Sequence, residues 1–148
     1  QYVVPVGMAR PMHGTAGGKV FLAHMGDAER LVYIRQVGLK RFTDRTVTDP
    51  AILERQLKMV RRAGYAITRA ETSAQLFGIA APIVDPTGKV ISAVNLGGPL
   101  FRLRGRQDAY VASVVAAAKA ISAEITRIGK VALPESLSVE KEQRDAAE

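Results

Sequence analysis

The chain has 148 residues, one domain in size and long enough to bury a core, with 47% hydrophobic and 24% charged residues. It contains no cysteine, which excludes disulfides, thiolate metal sites and cysteine nucleophiles. Its net charge of +7 invites a nucleic-acid reading, but Lys40, Arg41, Arg45, Arg55, Lys58, Arg61, Arg62 and Arg69 are spread over loops and helix backs beside Asp44, Asp49 and Glu54.

Arg102, Arg104 and Arg106 do form a local basic cluster, yet with 5% aromatics and no Trp there is no stacking platform for bases. A solvated surface is the expected meaning of the charge. No uninterrupted apolar run approaches the ~20 residues of a membrane span, and no signal-peptide pattern is present. The expected setting is cytoplasmic.

In chain order, residues 2–6 read as a short strand ending at Gly7. The chain opens inside that strand without an initiator Met and is expected to be a piece of something longer. Residues 10–19, RPMHGTAGGK, form a Gly-rich loop running into the apolar Val20-Phe21-Leu22-Ala23. A P-loop needs Gly where His13 stands and Ser or Thr where Val20 stands, so that motif fails twice, and the dinucleotide pattern G-x-G-x-x-G does not occur. Two readings of the loop remain open. Free amides at Ala16, Gly17 and Gly18, at the positive end of a helix, outline an anion site suited to one carboxylate. Alternatively, the glycines let a plain helix start pack against a sheet.

A helix from Asp27 through Gln36 is expected next, with Leu31, Val32 and Ile34 as its apolar residues and Gly38 as its stop. Arg41-Phe42-Thr43 reads as a short extended piece. Thr48-Asp49-Pro50 then supplies an N-cap followed by Pro at the first helical position. Leu53, Leu57 and Val60 form the buried stripe, Arg55, Lys58, Arg61 and Arg62 face solvent, and Gly64 ends the helix. Residues 65–68 form a strand.

The runs 76–84 and 90–96 carry no charge and flank Asp85-Pro86-Thr87-Gly88, the grammar of an antiparallel hairpin. Strands without polar alternation are expected to be covered on both faces. The polar exceptions are Ser92 and Asn95. A buried Asn95 amide needs a partner: either it bonds backbone at a strand end, or it looks into a ligand cavity. A long helix over 107–128 completes the pattern, with Val114, Ala118, Ile121, Ile125 and Ile128 as its stripe and an Ala edge at Ala112, Ala116, Ala120 and Ala123. Asp108, Lys119, Glu124 and Arg127 argue against its crossing a membrane. The predicted fold is α+β, a largely antiparallel sheet flanked by helices over residues 1–130, with a frayed polar tail over 131–148.

No catalytic constellation emerges. His13 and His24 are the two histidines, without carboxylates at metal-ligand spacing, so no metal site is expected. There is no G-x-S-x-G elbow. Asp85 belongs to the turn, and Glu71 is a lone acid near the supposed cavity, which is not an acid–base pair. No cofactor is expected, and binding is favoured over turnover. The rivals are a small enzyme holding an anionic substrate on the Gly-rich loop, and a ligand-free dimerisation module.

The residues 10–19, Arg41-Phe42-Thr43 with Thr46-Val47-Thr48-Asp49-Pro50, Arg62-Ala63-Gly64-Tyr65-Ala66, Ile79-Ala80-Ala81-Pro82-Ile83 with Asp85 and Gly88, and Gly98-Pro99 together resemble the effector-binding domain of the IclR family of bacterial transcriptional regulators. The resemblance runs from about residue 7 to residue 129, and it is the order and spacing of the motifs that are specific. It implies a GAF-like (profilin-like) fold, a pocket between sheet and helices, homodimers or tetramers, and an N-terminal winged helix-turn-helix for DNA outside this chain. It also implies that a ligand carboxylate meets the amides of Ala16 and Gly17 beside Thr15, with Leu76 in the wall. Thr68 stands where the family often has an acid, Gly78 where it often has Cys, and Asn95 and Gly97 where it often has serines. Losing an acid and two hydroxyls while gaining room implies a larger, flatter ligand, an aromatic carboxylate such as a hydroxybenzoate. Asn95 or Thr68 would then meet a ring hydroxyl.

Overall fold

The computed structural model describes residues 9–128, so the strand expected at residues 2–6 and the tail expected at 131–148 lie outside the described residues. A 3-10 turn at Met12–Gly14 leads into α1 (Ala16–His24) and α2 (Asp27–Val37), and after a loop comes α3 (Pro50–Ala63). Three strands follow, β1 (Ala66–Arg69), β2 (Leu76–Val84) and β3 (Val90–Pro99). A second 3-10 turn then leads to α4 (Gln107–Ile128).

The local grammar of α3 operates as expected. The Asp49 carboxylate accepts the amides of Ala51 at 2.7 Å and Ile52 at 3.2 Å. Leu53, Leu57 and Val60 are buried, and Gly64 closes the helix at φ 75°, a conformation that glycine adopts without strain. In the hairpin turn the Asp85 carboxylate accepts from the Thr87 amide at 2.8 Å, the Thr87 hydroxyl at 2.6 Å and the Lys89 amide at 3.0 Å. Gly88 sits at φ 83°.

The sheet is antiparallel, in the order β1-β2-β3. Because side chains alternate along a strand, β2 serves two cores at once. Ala80 and Ala66 face a cluster built from Ala16, Val20, Leu22 and Ala23 of α1 and Leu53, Leu57 and Val60 of α3. Phe77, Ile79, Ala81 and Ile83 face Val114 and Ala118 of α4. The expected covering on both faces therefore holds for β2. It fails for β3, where Ser92, Asn95 and Gly97 are exposed. β3 pairs with β2 along one edge and with no other strand among the described residues, and α1 and α4 cover its faces less completely than those of β2.

Three further expectations are corrected. Leu31 and Val32 of α2 are exposed, at 53% and 49%. The inward residues are Tyr33, Ile34 and Arg30, whose guanidinium bonds Asp27 at 2.6 Å, Glu54 at 3.1 Å and the Met25 carbonyl at 2.9 Å. Residues 41–43 form no strand; they are pinned into a bend because the Thr46 hydroxyl accepts the amides of Phe42 at 3.0 Å and Thr43 at 2.9 Å. In α4 the stripe runs through Val111, Val114, Val115, Ala118 and Ile125, while Ile121 and Ile128 are exposed. Ser122 takes the inward place beside Ile121. Its hydroxyl accepts the Val84 amide at 3.0 Å and donates to the Ala118 carbonyl at 2.8 Å.

Candidate functional site

The start of α1 is set by Thr15, whose hydroxyl accepts the Gly18 amide at 3.2 Å and donates to the Pro11 carbonyl at 3.1 Å. The Lys19 amide reaches the Thr15 carbonyl at 2.9 Å. Among the described residues nothing accepts from the amides of Ala16 and Gly17, the first two of the helix. Gly18 is therefore not part of a free-amide cradle, because its donor is spent on the cap.

The glycines here also serve close packing. A methyl group on Gly18 would stand 2.2 Å from Met12 Cα, one on Gly17 2.5 Å from Asn95 Oδ1, and one on Gly78 3.0 Å from Thr68 Oγ1 and 3.3 Å from Ala16 Cβ. Helix α1 thus lies directly on the sheet at Gly78, with its first amides at the end of a strand row. The packing of the glycines against the sheet and turn is therefore observed, while of the three amides expected to be free only those of Ala16 and Gly17 lack an acceptor among the described residues.

The pairing register places Thr68, Gly78 and Gly97 side by side across the three strands, with Ala66, Ala80 and Asn95 in an adjacent row on the same face. A cleft of about 370 Å³ opens there. All eight residues singled out in the sequence border it: Thr15, Ala16 and Gly17 from α1 and its cap, Thr68 from β1, Leu76 and Gly78 from β2, and Asn95 and Gly97 from β3. Arg10, Gly14, Glu71 and Thr72 also line it. A wider, more open groove of about 680 Å³ lies between Arg69, residues 100–105 and the start of α4.

Thr68 borders the cleft with 6% of its surface exposed, and its hydroxyl makes no hydrogen bond among the described residues, so a donor and acceptor reachable from the cleft is uncommitted. Asn95 departs from its expected burial. It is exposed, its amide nitrogen donates to the Ala93 carbonyl on its own strand at 3.1 Å, and it still borders the cleft opposite Gly17.

Sequence reasoning missed the charged network beside the cleft. The Lys19 ammonium donates to both Glu71 oxygens, at 2.8 Å and 2.6 Å, and to Gln56 Oε1 at 2.7 Å. Lys19 is 2% exposed and Glu71 8%. Burial pushes the Glu71 carboxyl up, while Lys19, His13 and Arg69 pull it down; burial pushes the Lys19 ammonium down against the pull of Glu71. The signal available in the sequence was a single Lys in the otherwise uncharged stretch Ala16-Gly17-Gly18-Lys19-Val20-Phe21-Leu22-Ala23, a charge that the packing of α1 must bury and therefore pair. Its partner is 52 residues away and not legible from spacing.

The Glu71 backbone is held by Thr46, whose hydroxyl donates to its carbonyl at 2.6 Å. His13 is buried with Nε2 at 3.0 Å from the Lys40 carbonyl, an arrangement in which Nε2 carries the proton. Its Nδ1 has no partner among the described residues. Within the same residues no cluster of three His, Asp or Glu side chains could hold a metal.

The architecture is an antiparallel sheet flanked by helices on both faces, with a cleft where the start of α1 meets the strands. The family model for the bacterial transcriptional regulator IclR C-terminal region matches residues 1–123. The chain belongs to that family. It is 35% identical over 119 residues to the HTH-type transcriptional regulator BhcR of Paracoccus denitrificans, covering 80% of this chain and 43% of the relative. The structure resembles IclR of Thermotoga maritima with a TM-score of 0.74 at 29% identity, over 84% of this chain and 51% of that one. It also resembles a double mutant of the inducer-binding domain of the PobR transcription factor from Acinetobacter, crystallised with 3-hydroxybenzoic acid. There the TM-score is 0.73 at 27% identity, over 82% of this chain and 73% of that one. The chain spans about two fifths of the length of the curated relatives it matches.

Proposed function

We propose that the chain is the effector-sensing part of a cytoplasmic, DNA-binding transcriptional regulator, and that its cleft takes a small aromatic carboxylate such as a hydroxybenzoate. The observation that carries the reading is the Thr68 hydroxyl, without a hydrogen-bond partner among the described residues, in the same cleft as the open amides of Ala16 and Gly17. The amides and the positive end of α1 suit a carboxylate. The hydroxyl suits a polar ring substituent, and Gly97 leaves space, since a methyl group there would meet only the Phe77 carbonyl oxygen, at 3.6 Å. The 3-hydroxybenzoic acid complex of the PobR double mutant supports the ligand class. The relatives are transcriptional regulators, which supports binding over turnover. DNA contact would belong to an N-terminal winged helix-turn-helix outside this chain, in a homodimer or tetramer. An effector would act by its differential affinity for the DNA-binding arrangements, and by no more than that.

Thermal-shift titration with 3-hydroxybenzoate, benzoate, glyoxylate and pyruvate tests this. Stabilisation by the aromatic acids is expected, worth ~2.7 kcal/mol at a hundred times Kd. Thr68→Val is expected to weaken 3-hydroxybenzoate by ~1–3 kcal/mol while leaving benzoate nearly unchanged, and Asn95→Ala is the companion variant if the hydroxyl instead lies on the β3 side. Stabilisation by glyoxylate or pyruvate alone overturns the aromatic assignment. No stabilisation by any acid overturns the sensor reading.

A further inference from the structure

A cleft suited to an anion is bordered by a carboxylate, Glu71, and a bare negative charge there would repel the ligand. We propose that Lys19 sets the charge selectivity of the cleft: by neutralising Glu71 from the α1 side, it makes a carboxylate acceptable in a site that would otherwise favour a neutral or cationic guest. This rests on the reading of the cleft as an effector site.

The geometry confines Lys19 to that indirect role. An ammonium has three donors. All three are used, two on Glu71 and one on Gln56. Lys19 is also absent from the cleft lining while Glu71 is in it, so Lys19 acts on a ligand through Glu71 and is a positioning residue. Stability alone does not call for ions here, because apolar residues of similar volume commonly replace a buried ion pair without loss. The other titratable or charged groups facing Glu71 are His13, from the turn before α1, and Arg69, at the end of β1; Arg10 borders the same cleft.

The experiment is calorimetric titration of the 148-residue chain with two probes of the same shape, 3-hydroxybenzoate and its neutral amide, 3-hydroxybenzamide. Lys19→Gln is expected to weaken the acid by roughly tenfold or more and to leave the amide within about twofold. Lys19→Gln/Glu71→Gln is expected to restore the acid; because the double variant would also relieve a purely structural defect, the amide is the control, since such a defect would weaken acid and amide alike in Lys19→Gln. Glu71→Gln alone, which leaves the cation uncompensated, is expected to tighten the acid. It keeps the idea exposed to refutation even if Lys19→Gln fails to fold.

Acid binding by Lys19→Gln should recover as the pH falls and Glu71 takes up a proton. If that recovery persists with Glu71→Gln also present, the assignment to Glu71 falls. Equal losses for acid and amide, or a Glu71→Gln variant that binds the acid no better than wild type, overturn the proposal. A wild-type chain that binds neither probe nor any small acid overturns the effector reading itself, a result separable from the others.

Discussion

Two glycines, Gly18 in the first turn of α1 and Gly97 on β3, answer substitution in opposite ways. A methyl group on Gly18 would stand 2.2 Å from Met12 Cα and 2.3 Å from its carbonyl oxygen, both backbone atoms, so Gly18→Ala must lift α1 off the preceding turn. Its expected cost is at or above the ~1–3 kcal/mol usual for overpacking. Gly97→Ala meets only one atom, at 3.6 Å, and should stay within ~0.5 kcal/mol of wild type. Its effect should appear instead as weaker binding of aromatic acids, because the added carbon enters the cleft. Urea denaturation separates the two. A Gly18→Ala protein as stable as wild type would contradict the close approach of α1 to its turn. At this scale the sequence showed which residues gather, since all eight singled out border one cleft. It did not show their burial. Asn95 was expected inside and lies exposed, because burial depends on what covers an edge strand and not on the residue type.

Among the elements, the hairpin was the most legible, because turn chemistry is local. Asp85 illustrates how much it does. The Thr87 hydroxyl, with the Lys89 and Thr87 amides behind it, holds the Asp85 carboxyl below its ordinary value of 3.8. A carboxyl with a lowered folded-state pKa contributes stability that is present above its unfolded pKa and is lost as the pH falls through the folded one. Asp85→Ala should therefore lower the melting temperature at pH 7, and the gap to wild type should narrow below pH 3.8. A gap constant from pH 7 to pH 2.5 would show that the ionised turn is not the cause. The helices were legible in extent and less so in face. In α4, Ser122 points inward and Ile121 outward, since the Val84 amide at the end of β2 requires an acceptor and Ser122 supplies it. In α2, Arg30 is buried in place of Leu31, because Asp27, Glu54 and the Met25 carbonyl together satisfy its guanidinium.

For the whole molecule, the sheet divides the interior into two cores that share β2. Leu57 lies in one and Ile79 in the other, and both are fully buried. Leu57→Ala and Ile79→Ala should each cost ~2–5 kcal/mol, and their effects should add to within ~0.5 kcal/mol, since the residues are separated by the sheet and share no partner. Coupling of more than 1 kcal/mol in a double-mutant cycle would mean that the sheet transmits packing between its faces.

The sequence by itself determined the order of the main helices and strands, the caps of α3 and the hairpin turn, because each follows from periodicity or turn chemistry along a short stretch of chain. Only the tertiary structure decided that Lys19 meets Glu71, that Thr68 is left without a partner and that β3 is half exposed. Those outcomes depend on which surfaces close over one another, and residues 52 apart in the chain leave no local trace of that.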